Sequence, residues 1–453
     1  MPSFKAELAS YLEQHPDTQY IDTLLPDING IPRGKRLPRS AFKKLEQGCY
    51  MPCSVFSMDM TGDVIEKAGL GQEIGEPDKL CLPIAGSLCP SASDPDHIAQ
   101  VLMTMIEDDN TPFVFEPRNQ LAALMRQFTP KGLQPVVALE LEFYLIDPQR
   151  TVEGGIQPPL GFISGQRENA SQVYSVDGLT DFADFLNDIN TLAQAQGIPV
   201  DAAVAEAAPG QFEINLKHTH DPLAACDHAI LLKRLIKTVA QHYNYEATFM
   251  AKPYEAHAGN GLHIHTSLLD QEGNNTFVHR DGSDSIVLQQ AIAGAIELMP
   301  ESIALLCPNV NSYRRLVPDM YVPLQACWGH NNRTVSLRIP ASDPQNRRIE
   351  YRLAGADANP YLTLAAVLSG FLHGLDHQLT PPPETQGNGA NQDLPLLPHR
   401  PGEALKALSE SQYLERYIRR EYLDLYALCK NQELEQFERH ITRLEMDWCL
   451  ANA

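Results

Sequence analysis

Four short segments of the chain place ionisable or amide residues two positions apart, with apolar residues between them. These segments are LELEF (139–143), FEINL (212–216), LHIH (262–265) and RIEYR (348–352). Because side chains alternate across a β-strand, the polar residues of each segment share one face. One such segment alone is usually the solvent side of a half-buried strand. Four of them that carry Glu, His and Arg indicate a cavity for divalent metal ions and an anionic substrate, because neighbouring buried carboxylates are costly unless cations neutralise them.

The composition excludes several classes of protein. With 453 residues, 43% hydrophobic and 20% charged, we expect a globular protein of about two or three domains. The chain has no apolar run long enough for a bilayer and a polar, helix-like start, so we expect no membrane partner. Nine scattered cysteines without a zinc spacing indicate free thiols and a cytoplasmic location. The net charge of -22 argues against nucleic acid and weakly favours cationic small molecules.

The pattern of strands, turns and helix caps divides the chain in two. Residues 1–110 show short strands and turns, which predict a small β-rich domain, whereas strands alternate with capped helices from residue 111 onward. Residues 380–401 are predicted to form a long surface loop. A cap residue followed by proline predicts a helix start. The predicted helices run from Asp221-Pro222 to about Tyr245, from Ser283 or Asp284 to near Pro308, and from Asn359-Pro360 to about His377.

Several motifs together resemble the glutamine synthetase family in content and order. They are GNGLHIH (259–265), NSYRRLVP (311–318), NRTVSLRIP (332–340), RIEYR (348–352) and ANPYL (358–362), with Glu140, Glu142 and the stretch 206–213 also matching. The resemblance covers essentially the whole chain. It implies an α+β fold, with an N-terminal β-grasp-like domain (1–110) and a catalytic α/β domain (111–453) on a curved, mostly antiparallel sheet. It also implies a homo-oligomer, usually a dodecamer of two hexameric rings, in which one subunit's small domain completes its neighbour's site.

The resemblance also implies a metal centre. One ion would be held by Glu142, Glu206 and Glu213, and another by Glu140, His263 and Glu350. Such oxygen-rich ligands suit Mg²⁺ or Mn²⁺, with two or three ions per site. Taken alone, Glu206 fits a solvated loop carboxylate equally well, and a lone His263 is more often a core histidine. The neighbouring Gly259 and Gly261, which allow close backbone approach to a ligand, favour the metal-ligand interpretation.

Arginines complete the site that the resemblance implies. Phosphoryl transfer needs charge neutralisation around the moving group, and bidentate arginine suits phosphate and carboxylate. Arg347 is predicted to lie on the opposite strand face from Arg348 and to be solvated. By the resemblance, ATP would contact His265, Ser267, Arg338 and Arg348, the transferring phosphoryl group would contact Arg333, and glutamate would contact Gly259, Arg315 and Arg352.

The chain departs from ammonia-using members of the family at the amine end of the site. Their Gly-Tyr-Glu-Ala-Pro flap, whose Glu encloses ammonium, is replaced by DMYVP (319–323), with Tyr321 at the position of that Glu. Their Asp-Gly-Ser-Ser element reads Asp59-Met60-Thr61-Gly62, and Ala258 replaces a frequent Asn. These changes resemble the γ-glutamylpolyamine (glutamate–putrescine type) synthetases and related γ-glutamyl-amine ligases. The alternative is that Tyr321 is a surface residue on a loop of an ordinary glutamine synthetase.

The sequence therefore predicts an enzyme that uses ATP to join the γ-carboxylate of L-glutamate to a primary amine through γ-glutamyl phosphate. The amine would be a polyamine such as putrescine, or a monoamine, as part of amine catabolism. Asp59, Glu206 and Arg333 are the predicted catalytic residues, and Asp59 and Tyr321 would line the amine pocket. Two alternatives stay open, which are glutamine synthesis from ammonia and a catalytically silent, ring-forming relative. Because residues 380–401 contain no tyrosine, we expect no regulation by nucleotidylation there.

Overall fold

Two β-sheets organise the chain in this computed structural model, which describes residues 3–168, 170, 173–318 and 320–452. The first sheet contains β1 (Tyr20–Pro26), β2 (Pro32–Arg33), β3 (Arg36–Pro38), β4 (Cys49–Pro52), β5 (Asp78–Pro83), β6 (Cys89–Pro90) and β7 (Ile98–Ile106). The second contains β8 (Gln134–Ile146), β9 (Val200–Ala205), β10 (Gln211–Leu216), β11 (Glu246–Thr248), β12 (Leu262–Leu269), β13 (Trp328–His330), β14 (Leu337–Ile339) and β15 (Ile349–Tyr351).

Helices pack around both sheets. In chain order they are α1 (Phe4–Gln14), α2 (Phe42–Leu45), α3 (Pro117–Met125), α4 (Val176–Asp181), α5 (Ala183–Ala195), α6 (Pro222–His242), α7 (Ile286–Leu306), α8 (Val310–Tyr313), α9 (Pro360–His377), α10 (Pro401–Ser409), α11 (Arg420–Glu438) and α12 (Arg443–Cys449). Within the described ranges, none of these helices combines the length and apolar character needed to cross a membrane.

The first sheet has its own hydrophobic core. Its strands run in the order β2-β1-β7-β5-β4, with β1 and β7 parallel and the other pairs antiparallel. Side chains from α1, including Phe4 and Leu8, join this core, and so do Leu425 and Cys429 of α11. Helix α11, near the end of the chain, therefore packs against the sheet formed by the first strands. The boundary near residue 110 stays a prediction.

The second sheet brings the four polar segments together. Its order is β13-β14-β15-β12-β8-β10-β9, and its pairs are antiparallel except for β13 with β14. The predicted α+β class and the mostly antiparallel catalytic sheet are confirmed. The polar segments occupy β15, β12, β8 and β10, which are consecutive neighbours. Because cross-strand partners point to the same face, the register sets these polar pairs opposite each other: Glu213 with Glu142, Asn215 and His263 with Glu140, and His265 with Glu350.

Side-chain caps account for the helix starts. Asp221 accepts hydrogen bonds from the backbone of Leu223 and Ala224, and α6 begins at Pro222 as predicted, although it ends at His242. Asn359 caps α9 in the same way, and this helix ends at the predicted His377.

The predicted start of α7 at Ser283 or Asp284 is wrong by one or two residues. The cap is Ser285, whose hydroxyl accepts from the backbone N–H of Leu288. Ser283 is instead held in a turn by Asp281, and Asp284 pairs with Arg347. Both polar side chains are engaged elsewhere, so the cap moves to the next serine.

Helices α7 and α9 cross in backbone contact at glycines. A Cβ on Gly294 would meet backbone atoms of Gly370 and Gly374, and one on Gly374 would meet the carbonyl of Gln290. Backbone atoms on both sides leave no flexible side chain that could move aside. This crossing fixes the helical layer behind the polar sheet.

We predict that Gly294→Ala destabilises the fold, although alanine normally favours a helix. The methyl group overpacks a backbone contact, which costs roughly 1–3 kcal/mol or more. Gly402→Ala in α10 is the matched control, because a Cβ there meets its nearest atom only at 4.0 Å; it should be neutral or stabilise by up to about 1 kcal/mol. Chemical denaturation of both variants measures the difference. Equal stabilities would mean that the two helices can separate freely at this point.

Candidate active site

The polar face of the second sheet gathers carboxylates and imidazoles into overlapping groups. In each group the candidate ligand atoms lie within 4.8 Å of one another. Glu140 belongs to two groups and Glu213 to two, so the groups form one continuous cluster. The groups are Glu142 with Glu206 and Glu213, Glu140 with Glu213 and His263, and Glu140 with His265 and Glu350.

The first group combines three carboxylates with little to balance them. Burial, followed by repulsion from Glu140, Glu142 and Glu206, raises the pKa of Glu213 to about 9. Burial and the nearby Glu142 likewise raise the pKa of Glu206 to about 7, although Arg333 opposes this shift. A divalent cation among these oxygens would remove the repulsion. The donor set therefore fits Mg²⁺ or Mn²⁺.

The hydrogen bonds of His265 decide which histidine is available to a metal. The guanidinium Nε of Arg348 donates to Nδ1 of His265 at 3.0 Å, so Nδ1 is the acceptor. Nε2 must then carry the hydrogen, and it donates to Oε1 of Glu140 at 2.7 Å. Both ring nitrogens of His265 are engaged. His263, with Nδ1 at 3.3 Å from Oε2 of Glu140, is the better ligand candidate, as the family pattern predicts.

Glu140 is ionised in this setting. Burial alone would raise the pKa of Glu140, but its contacts with His265 and His263 hold that pKa well below its ordinary value. Glu213, on the adjacent strand β10, has the opposite shift, because its pKa is raised. One sheet face thus holds one strongly ionised carboxylate and one that prefers its proton.

Glu350 is paired with two arginines, and only one of them is its neighbour in the segment RIEYR (348–352). The sequence placed it between Arg348 and Arg352; the structure pairs it with Arg352 and with Nη1 of Arg338, at 2.8 Å from the latter. The reason is the register, because Arg338 on β14 lies directly opposite Glu350 on β15. Although burial opposes ionisation, the charge of Arg352 is the main influence that lowers the pKa of Glu350 to about 2.

Two glycines make room for the protein's own atoms. A Cβ on Gly261 would lie 2.7 Å from Nη2 of Arg315 and 3.0 Å from Nε2 of His263, and a Cβ on Gly259 would meet the carbonyl of Ala251. The backbone N–H of Gly261 donates to Oε2 of Glu142 at 2.6 Å. Glycine at position 261 therefore allows the backbone itself to orient a candidate ligand.

Arg315 is buried beneath these glycines. Its Nη1 donates to the carbonyl of Leu353 at 2.8 Å, and Nη2 lies 3.4 Å from that of Arg352. Burial lowers the pKa of Arg315. Two of its nitrogens thus hold the segment that follows β15, and the contacts of Arg315, Arg352 and Gly259 with glutamate stay predictions.

A cleft of about 1300 Å³ opens beside the cluster. Its walls include Glu140, Asn215, His265, Ser267 and Arg348, so three of the four residues assigned to ATP line it. The fourth, Arg338, points to Glu350 and to the side chain of Asn331. Arg333 lies exposed on a neighbouring loop, whose conformation Asn332 stabilises through Thr334 and Gly387.

Neither of the two residues assigned to the amine pocket lines the cleft beside this cluster. Oδ1 of Asp59 accepts hydrogen bonds from the backbone of Thr61, Gly62 and Asp63, and Asp59 lines a different cleft. Burial opposes ionisation, but the hydrogen bond from the Thr61 hydroxyl and these backbone hydrogen bonds lower the pKa of Asp59. Tyr321 is 70% exposed, with a left-handed backbone (φ 53°), and Asp319 of the same flap lies outside the described residues. Their roles in amine binding stay predictions.

Sequence reasoning misjudged one residue and gave another no role. Arg347, which was expected to be solvated, pairs with Asp284, and its side chain is only 16% exposed. No local signal in the sequence connects these two residues. Asn215 was visible as the polar partner of Glu213 in FEINL, and its amide nitrogen donates to Oε1 of Glu140 at 3.1 Å. Its function required the register between β8 and β10.

Comparison with known proteins identifies the family. Residues 114–449 match the model of the glutamine synthetase catalytic domain. The chain belongs to the glutamine synthetase family. It is 56% identical over 451 residues to gamma-glutamylputrescine synthetase of Escherichia coli (strain K12), covering 100% of this chain and 96% of that protein. It is 30% identical to a glutamate–isopropylamine ligase from a Pseudomonas species, covering 97% and 96%. The solved structure of a GmaS protein in complex with ADP superimposes with a TM-score of 0.85 at 26% identity, covering 98% and 99%.

We predict that metal binding to this glutamine synthetase homologue strengthens as pH rises towards about 9, because Glu213 must lose its proton to ligate. Without metal, stability should fall as pH rises from about 4.5 to 9. Over that range the folded protein retains a proton that the unfolded chain releases, so unfolding is favoured at higher pH.

The matched variant is Glu213→Gln, which keeps the shape but cannot ionise. Its metal-free melting temperature should fall less with pH than that of the wild type, and its affinity for Mg²⁺ should be lower. Melting curves from pH 5 to 9, with and without Mg²⁺, and proton release on metal binding measure both effects. Identical pH profiles for the two proteins would contradict the assignment.

Proposed function

We propose that this protein is an ATP-dependent ligase that joins the γ-carboxylate of L-glutamate to a primary amine, with putrescine as the first candidate. Supporting this are the continuous carboxylate–histidine cluster beside an arginine-lined cleft and the 56% identity to a gamma-glutamylputrescine synthetase over the full chain. The cluster carries the proposal, because it supplies what phosphoryl transfer needs, namely charge neutralisation and fixed positions.

In the first step an oxygen of the γ-carboxylate attacks the γ-phosphorus of ATP, giving γ-glutamyl phosphate and releasing ADP. Mg²⁺ or Mn²⁺ held by Glu140, Glu142, Glu206, Glu213, His263 and Glu350 would supply positive charge at the phosphates. Arg348 and Ser267 line the cleft in which the nucleotide binds, and Arg333 adds charge near Glu206. Arg338 and Arg352 hold Glu350 ionised and in place.

In the second step the amine nitrogen attacks the acyl carbon, and phosphate leaves. A protonated amine has no lone pair, so the site must first bind the cation and then accept its proton. Asp59 is ionised and suits the binding of an ammonium group, and it would come from a neighbouring subunit. Asp59 would also accept this proton, and Glu206 would line the same pocket. Tyr321 would replace an anionic ammonium ligand with an aromatic wall.

The proposal extends to assembly and location. A ring-shaped homo-oligomer, a dodecamer of two hexamers, would bring Asp59 of one subunit to the cluster of the next. A cytoplasmic location is supported by the nine cysteines, all of which are free thiols.

A panel of amines tests the reaction. With glutamate, ATP and Mg²⁺, we expect ADP release to be fastest with putrescine and slow with ammonium. Ethanolamine, isopropylamine and spermidine complete the panel, and mass spectrometry should detect the γ-glutamyl amide. Ammonium as the preferred substrate would identify a glutamine synthetase. Absence of turnover with every amine, in protein that binds ATP, would identify a silent relative.

We further predict that Glu350→Ala lowers turnover by orders of magnitude while ATP still binds, because the phosphoryl-transfer centre loses an anionic ligand. Removing this carboxylate also leaves two arginines without their buried partner, so the metal-free fold should lose roughly 3–5 kcal/mol. The exposed pair of Arg150 and Glu246 offers a control; Glu246→Ala should cost less than about 1 kcal/mol and retain turnover. Turnover, ATP binding and denaturation of each variant separate these effects. Normal turnover of Glu350→Ala would make Glu350 a structural residue only.

A further inference from the structure

Asn215 occupies a position between the cluster and the cleft. It lies on β10, directly opposite Glu140 of β8, and its side chain lines the wall of the cleft. Its Nδ2 donates to Oε1 of Glu140 at 3.1 Å. The opposite amide orientation would set a carbonyl oxygen against an ionised carboxylate, so the chemistry of the pair determines this orientation.

Oε1 of Glu140 therefore has two donors. Besides Asn215, Nε2 of His265 donates to the same oxygen at 2.7 Å. The other oxygen, Oε2, faces Nδ1 of His263 at 3.3 Å. Two donors on Oε1 direct that oxygen away from ligation and turn Oε2 towards the histidine assigned to the metal.

This arrangement leaves one hydrogen-bonding atom of Asn215 unsatisfied. Its Oδ1 is buried and has no hydrogen-bond partner among the described residues. A buried, unsatisfied acceptor lowers stability. A leucine of similar size would avoid that cost, so the amide is better explained by its contact with Glu140 than by folding.

We propose that Asn215 is a positioning residue, which together with His265 holds Oε1 of Glu140 so that Oε2 ligates the metal ion. This inference rests on the proposed metal site. It concerns an outer hydrogen bond, and such contacts typically change metal affinity by about 10- to 100-fold.

The test is Mn²⁺ binding to metal-free enzyme without substrates, followed by electron paramagnetic resonance. For Asn215→Leu we expect the dissociation constant of one class of site to rise about 10- to 100-fold, while the metal-free melting temperature stays equal or rises. Asn215→Gln, which retains the amide, should recover part of the affinity. Asn215→Ala should weaken Mn²⁺ binding to a similar extent. This variant shows whether the effect of leucine comes from loss of the amide or from a steric clash.

Asn275 provides the matched control in the same cleft. Its amide donates to the backbone carbonyls of Gln345 and Arg347, which is a structural task. Asn275→Leu should lower the melting temperature and leave Mn²⁺ affinity unchanged. Unchanged affinity in Asn215→Leu and Asn215→Ala would overturn the inference while leaving the metal site intact. Failure of the wild-type enzyme to bind Mn²⁺ would overturn the metal site itself.

Discussion

Repulsion among buried carboxylates is the constraint on which the site depends. Glu140, Glu142, Glu213 and Glu350 are carried by strands β8, β10 and β15 of one sheet, and Glu206 joins them from the turn after β9. Arginines neutralise the Glu350 end, whereas the Glu213 end keeps a proton and its pKa rises to about 9. In the metal-free protein, carboxylate repulsion therefore remains at the position where a cation would bind.

Rigid packing behind the sheet keeps these carboxylates close together. Strands β8 and β12 pair along eight residues, and helices α7 and α9 cross in backbone contact in the layer behind them. A pliable support would let the carboxylates move apart and lose their affinity for a divalent ion. The hydrogen bonds of Asn215 and His265 to Glu140, and of Gly261 to Glu142, extend this rigidity to individual oxygens.

The sequence predicted the strands and helix caps of the site better than the contacts between their side chains. Alternation within LELEF, FEINL and LHIH correctly indicated strands with one polar face, and the caps Asp221 and Asn359 correctly indicated α6 and α9. The segment RIEYR sets Arg348 and Arg352 two positions from Glu350, but only the register of β14 shows that Arg338 lies opposite Glu350. Ser285 was missed because Ser283 is engaged locally by Asp281 and Asp284 pairs with the distant Arg347, and these contacts decide the cap.

The same physical division separates the two halves of the reaction. The cluster and the cleft, which we propose for ATP and glutamate, lie on a paired sheet. Asp59 and Tyr321 lie on turns outside that sheet, where the backbone can change without disturbing a register. Two relatives that match almost the whole chain are named for different amines, putrescine and isopropylamine. With Asp59 and Tyr321 assigned to the amine pocket as proposed, selectivity for the amine varies in these turns while the strands that hold the carboxylates stay as they are.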